Sequence, residues 1–139
     1  MLERSNEKGM KTMEQINKIY EHIPVVPLRG LVVLPGELLH FDAGRQGSVK
    51  ALAAASEEGK FVFLTSQKDI RKNDVGRDDI YRIGTVCRIR QMLSLPGDTM
   101  RVLVYGICRA RFTSLEHGEY LTADAVQLDP PPYDETEAE

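Results

Sequence analysis

The feature that most constrains this fold is a long stretch in which apolar and polar residues alternate on both sides of a turn. Two segments, residues 85–95 and 100–112, flank the turn sequence Pro96-Gly97-Asp98-Thr99. In the second segment, every other residue from Met100 to Phe112 is apolar or glycine, and the opposite phase carries arginines. Strict alternation of this kind is typical of a strand with one buried face and one face in water. The stretch therefore predicts a long antiparallel β-hairpin that covers a core.

The turn sequence also predicts which residues of the hairpin lie opposite each other. A two-residue loop at Gly97-Asp98, with glycine first, fits a type II′ turn. In the first arm this register buries Cys87, Ile89 and Leu93. We therefore expect the two cysteines to be close cross-strand neighbours, unless a bulge at Gly106 shifts the pairing by one. The register pairs Leu95 with Met100, Leu93 with Val102, Ile89 with Gly106 and Cys87 with Cys108.

Helical patterns are few. The main helix is predicted over residues 45–58, with Ser48 as a candidate N-cap and Gly59 as the C-terminal cap. Its apolar face is expected to be Val49, Leu52, Ala53 and Ser56. A second helix is possible over residues 11–21, because the sparse apolar residues there share one helical face. Those residues are Met13, Ile16, Ile19 and Tyr20.

The remaining body of the chain shows strand patterns. Residues 23–28 form an apolar run whose two prolines suggest an edge strand or the ends of a strand. Further extended pieces are predicted at residues 37–41, 60–65 and 120–128, and a charged surface loop at 69–79 with a helical turn over 77–81. The fold class predicted is α+β and mostly β. Three regions follow: an N-terminal extension (1–22), a β-rich domain (23–128) and an acidic, proline-rich linker or tail (129–139).

Residue types that carry catalysis are present but do not form a recognisable site. Glycines lie near the start of the main helix, yet the lysine of a phosphate-binding loop is missing. His22, His40 and His117 are scattered, and no serine lies in a Gly-x-Ser-x-Gly sequence. Cys87 and Cys108 lack zinc-site spacing and are expected to be reduced, buried thiols. We therefore predict a non-enzymatic domain with no catalytic residues, no cofactor and no metal.

Charge and hydropathy limit the cellular localisation and the classes of partner that the sequence predicts. No apolar run approaches the roughly 20 residues that span a bilayer, and the charged N-terminus does not resemble a signal peptide. The expected localisation is cytoplasmic, with no membrane partner. Residues 25–128 carry 14 Lys and Arg against 12 Asp and Glu, which argues against a nucleic-acid partner. The hairpin's arginines form either a solvated sheet face, which the interspersed acids favour, or a phosphate-contacting stripe. They are Arg88, Arg90, Arg101, Arg109 and Arg111.

Several ordered motifs resemble a known family. Residues 23–36 (IPVVPLRGLVVLPG) and residues 84–111 are similar to the N-terminal domain of the Lon ATP-dependent protease family. Gly44-Arg45 before the helix and residues 63–69 (FLTSQKD) also fit that family in order and spacing. Two departures are Tyr105, where the family usually has an acidic residue, and a turn that reads Pro-Gly-Asp rather than Pro-Asp-Gly. The resemblance covers roughly residues 23–128.

The resemblance implies a small PUA-like β-barrel, or twisted antiparallel sheet, with one helix packed on it. It also implies a non-catalytic role: recognition of unfolded or damaged protein, and assembly with the remaining domains and sister subunits of a protease hexamer. Two alternatives stay open, namely a free-standing adaptor or receptor protein of the same fold and a PUA-like nucleic-acid-binding module. The reading frame beyond Glu139 would separate the fragment from the free-standing protein.

The candidate binding surface lies at the hairpin tip. Apolar residues at turns either close the end of a barrel or form an exposed patch for unfolded polypeptide. Methionines suit such a patch, because flexible thioether side chains adapt to diverse partners. The predicted polypeptide-binding patch is Met92, Leu93, Leu95, Pro96 and Met100.

Overall fold

The computed structural model describes residues 18–128, which form six strands, one α-helix and one 3₁₀ turn. The strands are β1 (Ile19–Leu28), β2 (Leu38–Ala43), β3 (Phe61–Ser66), β4 (Ile83–Leu95), β5 (Thr99–His117) and β6 (Leu121–Gln127). The helix α1 (Gln46–Glu57) lies between β2 and β3, and the 3₁₀ turn (Arg77–Asp79) precedes β4. The mostly-β fold class with one main helix is confirmed.

The six strands form one sheet in the order β2-β5-β4-β3-β1-β6, and an additional pairing joins β5 to β6. That pairing closes five strands into a ring and leaves β2 attached to the distal half of β5, between Met100 and Tyr105. β1 and β3 run parallel, and every other pair is antiparallel. The parallel pair requires a crossover, which β2 and α1 supply.

The two prolines of the first strand lie where that strand has only one neighbour. β6 pairs with β1 up to Val25, and β3 pairs with it from Val25 onward. Pro24 therefore faces only β6, and Pro27 faces only β3. β1 is central in the sheet order, but each proline occupies a locally free edge, where its missing N–H costs no ladder hydrogen bond.

Two apolar clusters lie on opposite faces of the sheet, since consecutive residues of β1 and β3 alternate between them. The first cluster contains Val26 and Val62, lies under α1, and includes Leu52 of the helix and Phe41 of β2. The second cluster draws on each of the five ring strands and on the segment before β4. Its buried members include Val25, Phe63, Ile80, Val86, Phe112 and Ala123.

The helix matches its predicted range, but its capping and buried face differ from expectation. Arg45 is the N-cap and makes no side-chain capping bond, so Ser48 is not the cap but lies inside the helix and is buried. The buried face is Ser48, Ala51, Leu52 and Ala55, and Ala53 is exposed. Gly59, with φ of 102°, ends the helix as predicted. Within residues 18–128, no helix has the length and apolar character needed to cross a membrane.

The long hairpin is confirmed, but its predicted register is wrong. The single buried face predicted from Met100 to Phe112 is also wrong, because Val102 and Val104 lie in the first cluster and Phe112 in the second. The connection is a three-residue loop in which Gly97 and Asp98 both have positive φ, and Leu95 pairs with Thr99. Two irregularities follow, at Arg90 in β4 and at Ile107 in β5. Their result is that Cys87 lies opposite Gly106, and Cys108 lies opposite Val86.

The possible N-terminal helix over residues 11–21 is wrong at its C-terminal end. Residues 19–21 belong to β1, where Ile19 pairs with Val126 and Tyr20 with Ala125. Residues 11–17 of the predicted helix, and the acidic segment 129–139, lie outside the described residues. The division into extension, domain and tail stays a prediction.

Candidate functional site

The structure divides the predicted hairpin patch between two faces of the sheet. Met92 and Met100 are half-buried and pack against the first apolar cluster. Leu93, predicted to be buried, lies on the other face and is 56% exposed. The extra residue at Arg90 places Leu93 on this face, because a one-residue insertion moves the side chains that follow it to the opposite face of the sheet. Leu95 is half-buried and Pro96 is exposed at the tip.

Leu93 has apolar neighbours that the sequence analysis did not include in the patch. Gln91 pairs with Leu103 and Leu93 with Arg101, so Leu93 and Leu103 are diagonal neighbours on one face. On the other side of β5, Leu38 pairs with Tyr105 on that same face, and Leu38 is 55% exposed. Apolar side chains from three strands thus form a surface that we call the hairpin strip. Its members are Leu38, Leu93, Leu103 and Tyr105.

The strip lies on the part of the sheet that has free edges. Among residues 18–128, β3 pairs with β4 only between Thr85 and Arg88, so the distal half of β4 has β5 as its one partner there. Within the same residues, β2 pairs only with β5. A strand edge without a partner presents N–H and C=O groups that an extended polypeptide can bond. The hairpin strip is therefore a partly apolar surface on three strands, and the two outer strands each have an edge without a strand partner in the described part of the chain.

A second apolar surface lies beside the loop that connects β1 to β2. Val32 and Leu34 of this loop, together with Tyr81 and Ile83, have exposed side chains and border a groove of about 340 Å³. The loop is tied to β4, because the buried Thr85 hydroxyl donates to the Val33 carbonyl at 2.6 Å. We call this surface the loop groove. The participation of residues 81 and 83 does not follow from any pattern in the sequence.

The arginines of the hairpin are mostly occupied by neighbouring side chains. Arg101 bonds the Asp42 carboxylate through Nε at 2.8 Å and through Nη2 at 3.0 Å, which lowers the pKa of Asp42. Arg88 stacks on the Phe61 ring at 5.0 Å, and Arg90 on the Tyr105 ring at 5.9 Å. Arg101 is thereby neutralised, whereas the two stacked arginines keep their charge, so the predicted phosphate-contacting stripe is interrupted at Arg101.

Reactive and metal-ligating groups do not gather into a site in the described part of the chain. Burial raises the pKa of the Cys87 thiol to about 12 and also raises the pKa of Cys108. Burial and the neighbouring Cys108 raise the pKa of Tyr20 to about 12. Thiols with raised pKa are poor nucleophiles. Among residues 18–128, no three His, Cys, Asp or Glu side chains are grouped closely enough to hold a metal ion.

Comparison with known proteins gives a consistent result. A sequence model of the ATP-dependent protease La (LON) substrate-binding domain matches residues 22–139. The chain is 47% identical over 105 residues to "Lon protease" of Clostridioides difficile, and the aligned residues cover 75% of this chain and 13% of that protein. It is 46% identical over 107 residues to "Lon protease 1" of Bacillus subtilis (76% and 14%). It is 42% identical over 118 residues to "Lon protease" of Escherichia coli K12 (84% and 15%).

Solved structures agree on the fold. The N-terminal domain of a Mycobacterium avium complex Lon protease superposes with a TM-score of 0.60 at 20% identity, over 81% of this chain and 55% of that one. A Lon N-terminal domain protein from Xanthomonas campestris gives a TM-score of 0.59 at 16% identity, over 81% and 62%. The chain spans about one seventh of the length of the Lon proteases that it matches.

Proposed function

Because this chain belongs to the family of LON substrate-binding domains, we propose that it is a non-catalytic region of a Lon-type protease that binds unfolded or damaged protein. The remaining domains and sister subunits of the protease, in a hexamer, are its other proposed partners. In this role the domain holds polypeptide through its surface, and catalytic groups elsewhere in the protease carry out ATP hydrolysis and peptide cleavage.

The observation that carries the proposal is the hairpin strip. Unfolded polypeptides share exposed backbone and apolar side chains but no common sequence. A surface suited to them needs apolar side chains for contact and free strand edges for backbone hydrogen bonds. The strip supplies both, with Leu38 and Leu93 exposed between the edges of β2 and distal β4. Leu95 and Pro96, at the predicted tip patch, extend this surface toward the turn.

The alternatives receive less support. The nearly balanced charge of residues 25–128 and the pairing of Arg101 with Asp42 do not favour a nucleic-acid-binding module. A free-standing adaptor or receptor would use the same strip. It differs from the proposed function in its partners rather than in its binding surface.

The test replaces the two most exposed leucines of the strip. We expect Leu38→Asp with Leu93→Asp to weaken binding of fluorescein-labelled, carboxymethylated casein about tenfold, because two apolar contacts become hydrated carboxylates. The measurement is fluorescence anisotropy with the whole 139-residue chain. Met92 is not suitable for this test, because it packs on the core and its replacement by Asp would perturb folding.

The matched control is Ile19→Asp with Ile70→Asp. These two isoleucines are similarly exposed and lie outside the strip, so this variant makes the same chemical change at other places. We expect the control to bind casein like the wild type. Equal loss in both variants, or no loss in either, would exclude the strip as the binding surface.

A further inference from the structure

The N-terminus of α1 borders a cavity, and its first backbone donors have no acceptor among residues 18–128. The first bond of the helix runs from the Val49 N–H to the Arg45 carbonyl at 2.9 Å, so the amides of residues 46–48 have no intrahelical acceptor. No side chain caps this end, and the first turn contains no acidic residue. The positive end of the helix dipole is therefore not neutralised by the helix's own residues.

Ser48 supplies a second, independent feature of this end. The residue is only 7% exposed, and its hydroxyl has no hydrogen-bond partner within residues 18–128. A buried hydroxyl without a partner is costly, which points to a ligand or solvent acceptor in a cavity that it lines. Ser48 and Arg45 line two neighbouring cavities. The one that also contains Arg29, which we call the α1 pocket, has a volume of about 320 Å³.

The two arginines of the α1 pocket have no carboxylate partner among the described residues. Arg45 donates to the Gln67 side chain at 2.9 Å and to the Pro27 carbonyl at 2.8 Å, and Arg29 donates to Asn73 and to the Lys72 carbonyl. These acceptors fix both guanidinium groups without neutralising them. Burial and the charge of Arg29 lower the pKa of Arg45, the effect expected of two cations that lack a counterion.

The rest of the α1 pocket is apolar, apart from one acid. That acid, Asp42, is already held by two hydrogen bonds from Arg101. A multiply charged anion such as phosphate would be repelled by Asp42 and would leave the apolar walls uncovered. A single carboxylate attached to an apolar group matches both the charges and the walls. The apolar walls are Val26, Leu28, Leu31, Phe41 and Ala43.

We propose that the α1 pocket binds the C-terminal carboxylate of a polypeptide whose last side chain is apolar. The carboxylate accepts hydrogen bonds from the free amides at the helix start and from Ser48, and the two guanidinium groups neutralise it. The apolar side chain fills the space beside Phe41. This inference rests on the proposed function and deepens it, because it names the part of an unfolded chain that the α1 pocket recognises, in addition to the contacts made by the hairpin strip.

The experiment compares one fluorescein-labelled decapeptide, ending in two leucines, as its free acid and as its C-terminal amide. The whole 139-residue chain is titrated, and fluorescence anisotropy reports binding. We expect the acid to bind about tenfold more tightly than the amide, the scale of a charge-assisted hydrogen bond. Ser48→Ala and Arg29→Gln are each expected to remove most of that preference, and Arg111→Gln, which changes an exposed arginine outside the pocket, to retain it.

Two outcomes would overturn the inference. Equal affinity for the acid and the amide shows that no carboxylate is recognised. Displacement of the peptide by inorganic phosphate at the concentration at which acetate displaces it shows a general anion site. The failure of this inference is distinguishable from failure of the proposed function, because carboxymethylated casein binding depends on the hairpin strip and is measured separately. Casein binding by the Ser48→Ala variant also verifies that this variant is folded.

Discussion

At the scale of single residues, Cys87 shows how burial sets chemistry in this domain. Its side chain lies in the first apolar cluster opposite Gly106, and burial raises the pKa of its thiol to about 12 from an ordinary value of 9.0. In the unfolded chain the same thiol loses its proton near the ordinary value. Between these two pH values, the unfolded state binds fewer protons than the folded state, so stability falls as pH rises.

We expect the free energy of unfolding to fall between pH 9 and about pH 12, and Cys87→Ala to reduce that slope by up to about 1.4 kcal/mol per pH unit. Urea unfolding followed by circular dichroism at each pH measures it. Tyr20, whose pKa is raised to about 12, adds an alkaline slope that is common to the wild type and the variant. Parallel slopes for the two proteins would contradict the assignment to Cys87.

At the scale of elements, the contact between the β1–β2 loop and β5 depends on a glycine. The Gly36 N–H donates to the Gly106 carbonyl at 2.8 Å, and the Gly106 N–H donates to the Glu37 carbonyl at 2.9 Å. A Cβ atom added at Gly106 would overlap the Leu34 carbonyl. The loop therefore lies directly on the backbone of the strand, and this contact shapes the loop groove.

We expect Gly106→Ala to lower the free energy of unfolding by about 2 kcal/mol, because backbone atoms must move apart. Chemical unfolding in urea measures the change. The control is Gly118→Ala, where an added Cβ meets only the Tyr120 carbonyl at 3.8 Å, an ordinary contact. A loss for Gly118→Ala as large as that for Gly106→Ala would show that the overlap at Gly106 is not the cause.

At the scale of the whole molecule, the sheet has a closed part and an open part. The five-stranded ring encloses the second apolar cluster and is covered by α1 on the other face. The distal hairpin and β2 extend from this ring as a three-stranded sheet, one face of which packs in the first apolar cluster. Its two outer edges have no strand partner among residues 18–128. The hairpin strip lies on the open part, where local opening costs least.

We expect hydrogen exchange to separate these two parts. Amides that join β4 to β5 at residues 91–95 are expected to exchange at least about tenfold faster than those at residues 84–88, because β3 supports only the latter. Two-dimensional NMR in deuterated buffer measures both sets on one sample. Uniform protection along β4 would mean that the sheet opens as one unit and that the distal hairpin is not a separate part.

The sequence alone determined most of the elements, the fold class and, through its resemblance, the family of this domain. The two-residue period over residues 85–112 predicts a β-hairpin. Gly59 ends the helix with a positive φ, which would strain an L-residue. Burial of every second residue of β5 also follows from that period, as Val102, Val104 and Phe112 show. These are local properties, and local sequence is sufficient to specify them. The period does not show that the extra residue at Ile107 turns Phe112 to the other face of the sheet, away from Val102 and Val104.

The tertiary structure decided the register and the sites. The insertions at Arg90 and Ile107 keep the local alternation acceptable on both sides, so no pattern reveals them. Both insertions lie beside contacts between residues that are distant in sequence. Arg90 stacks on Tyr105, and Gly106, next to Ile107, is hydrogen-bonded to Gly36 and Glu37 of the β1–β2 loop. The α1 pocket likewise contains both Arg29 and Ser48. They are brought together by the crossover between the parallel strands β1 and β3, whose position depends on the assembled sheet. Contacts between residues far apart in sequence depend on the packing of whole elements, which is the physical reason that the binding surfaces required the structure.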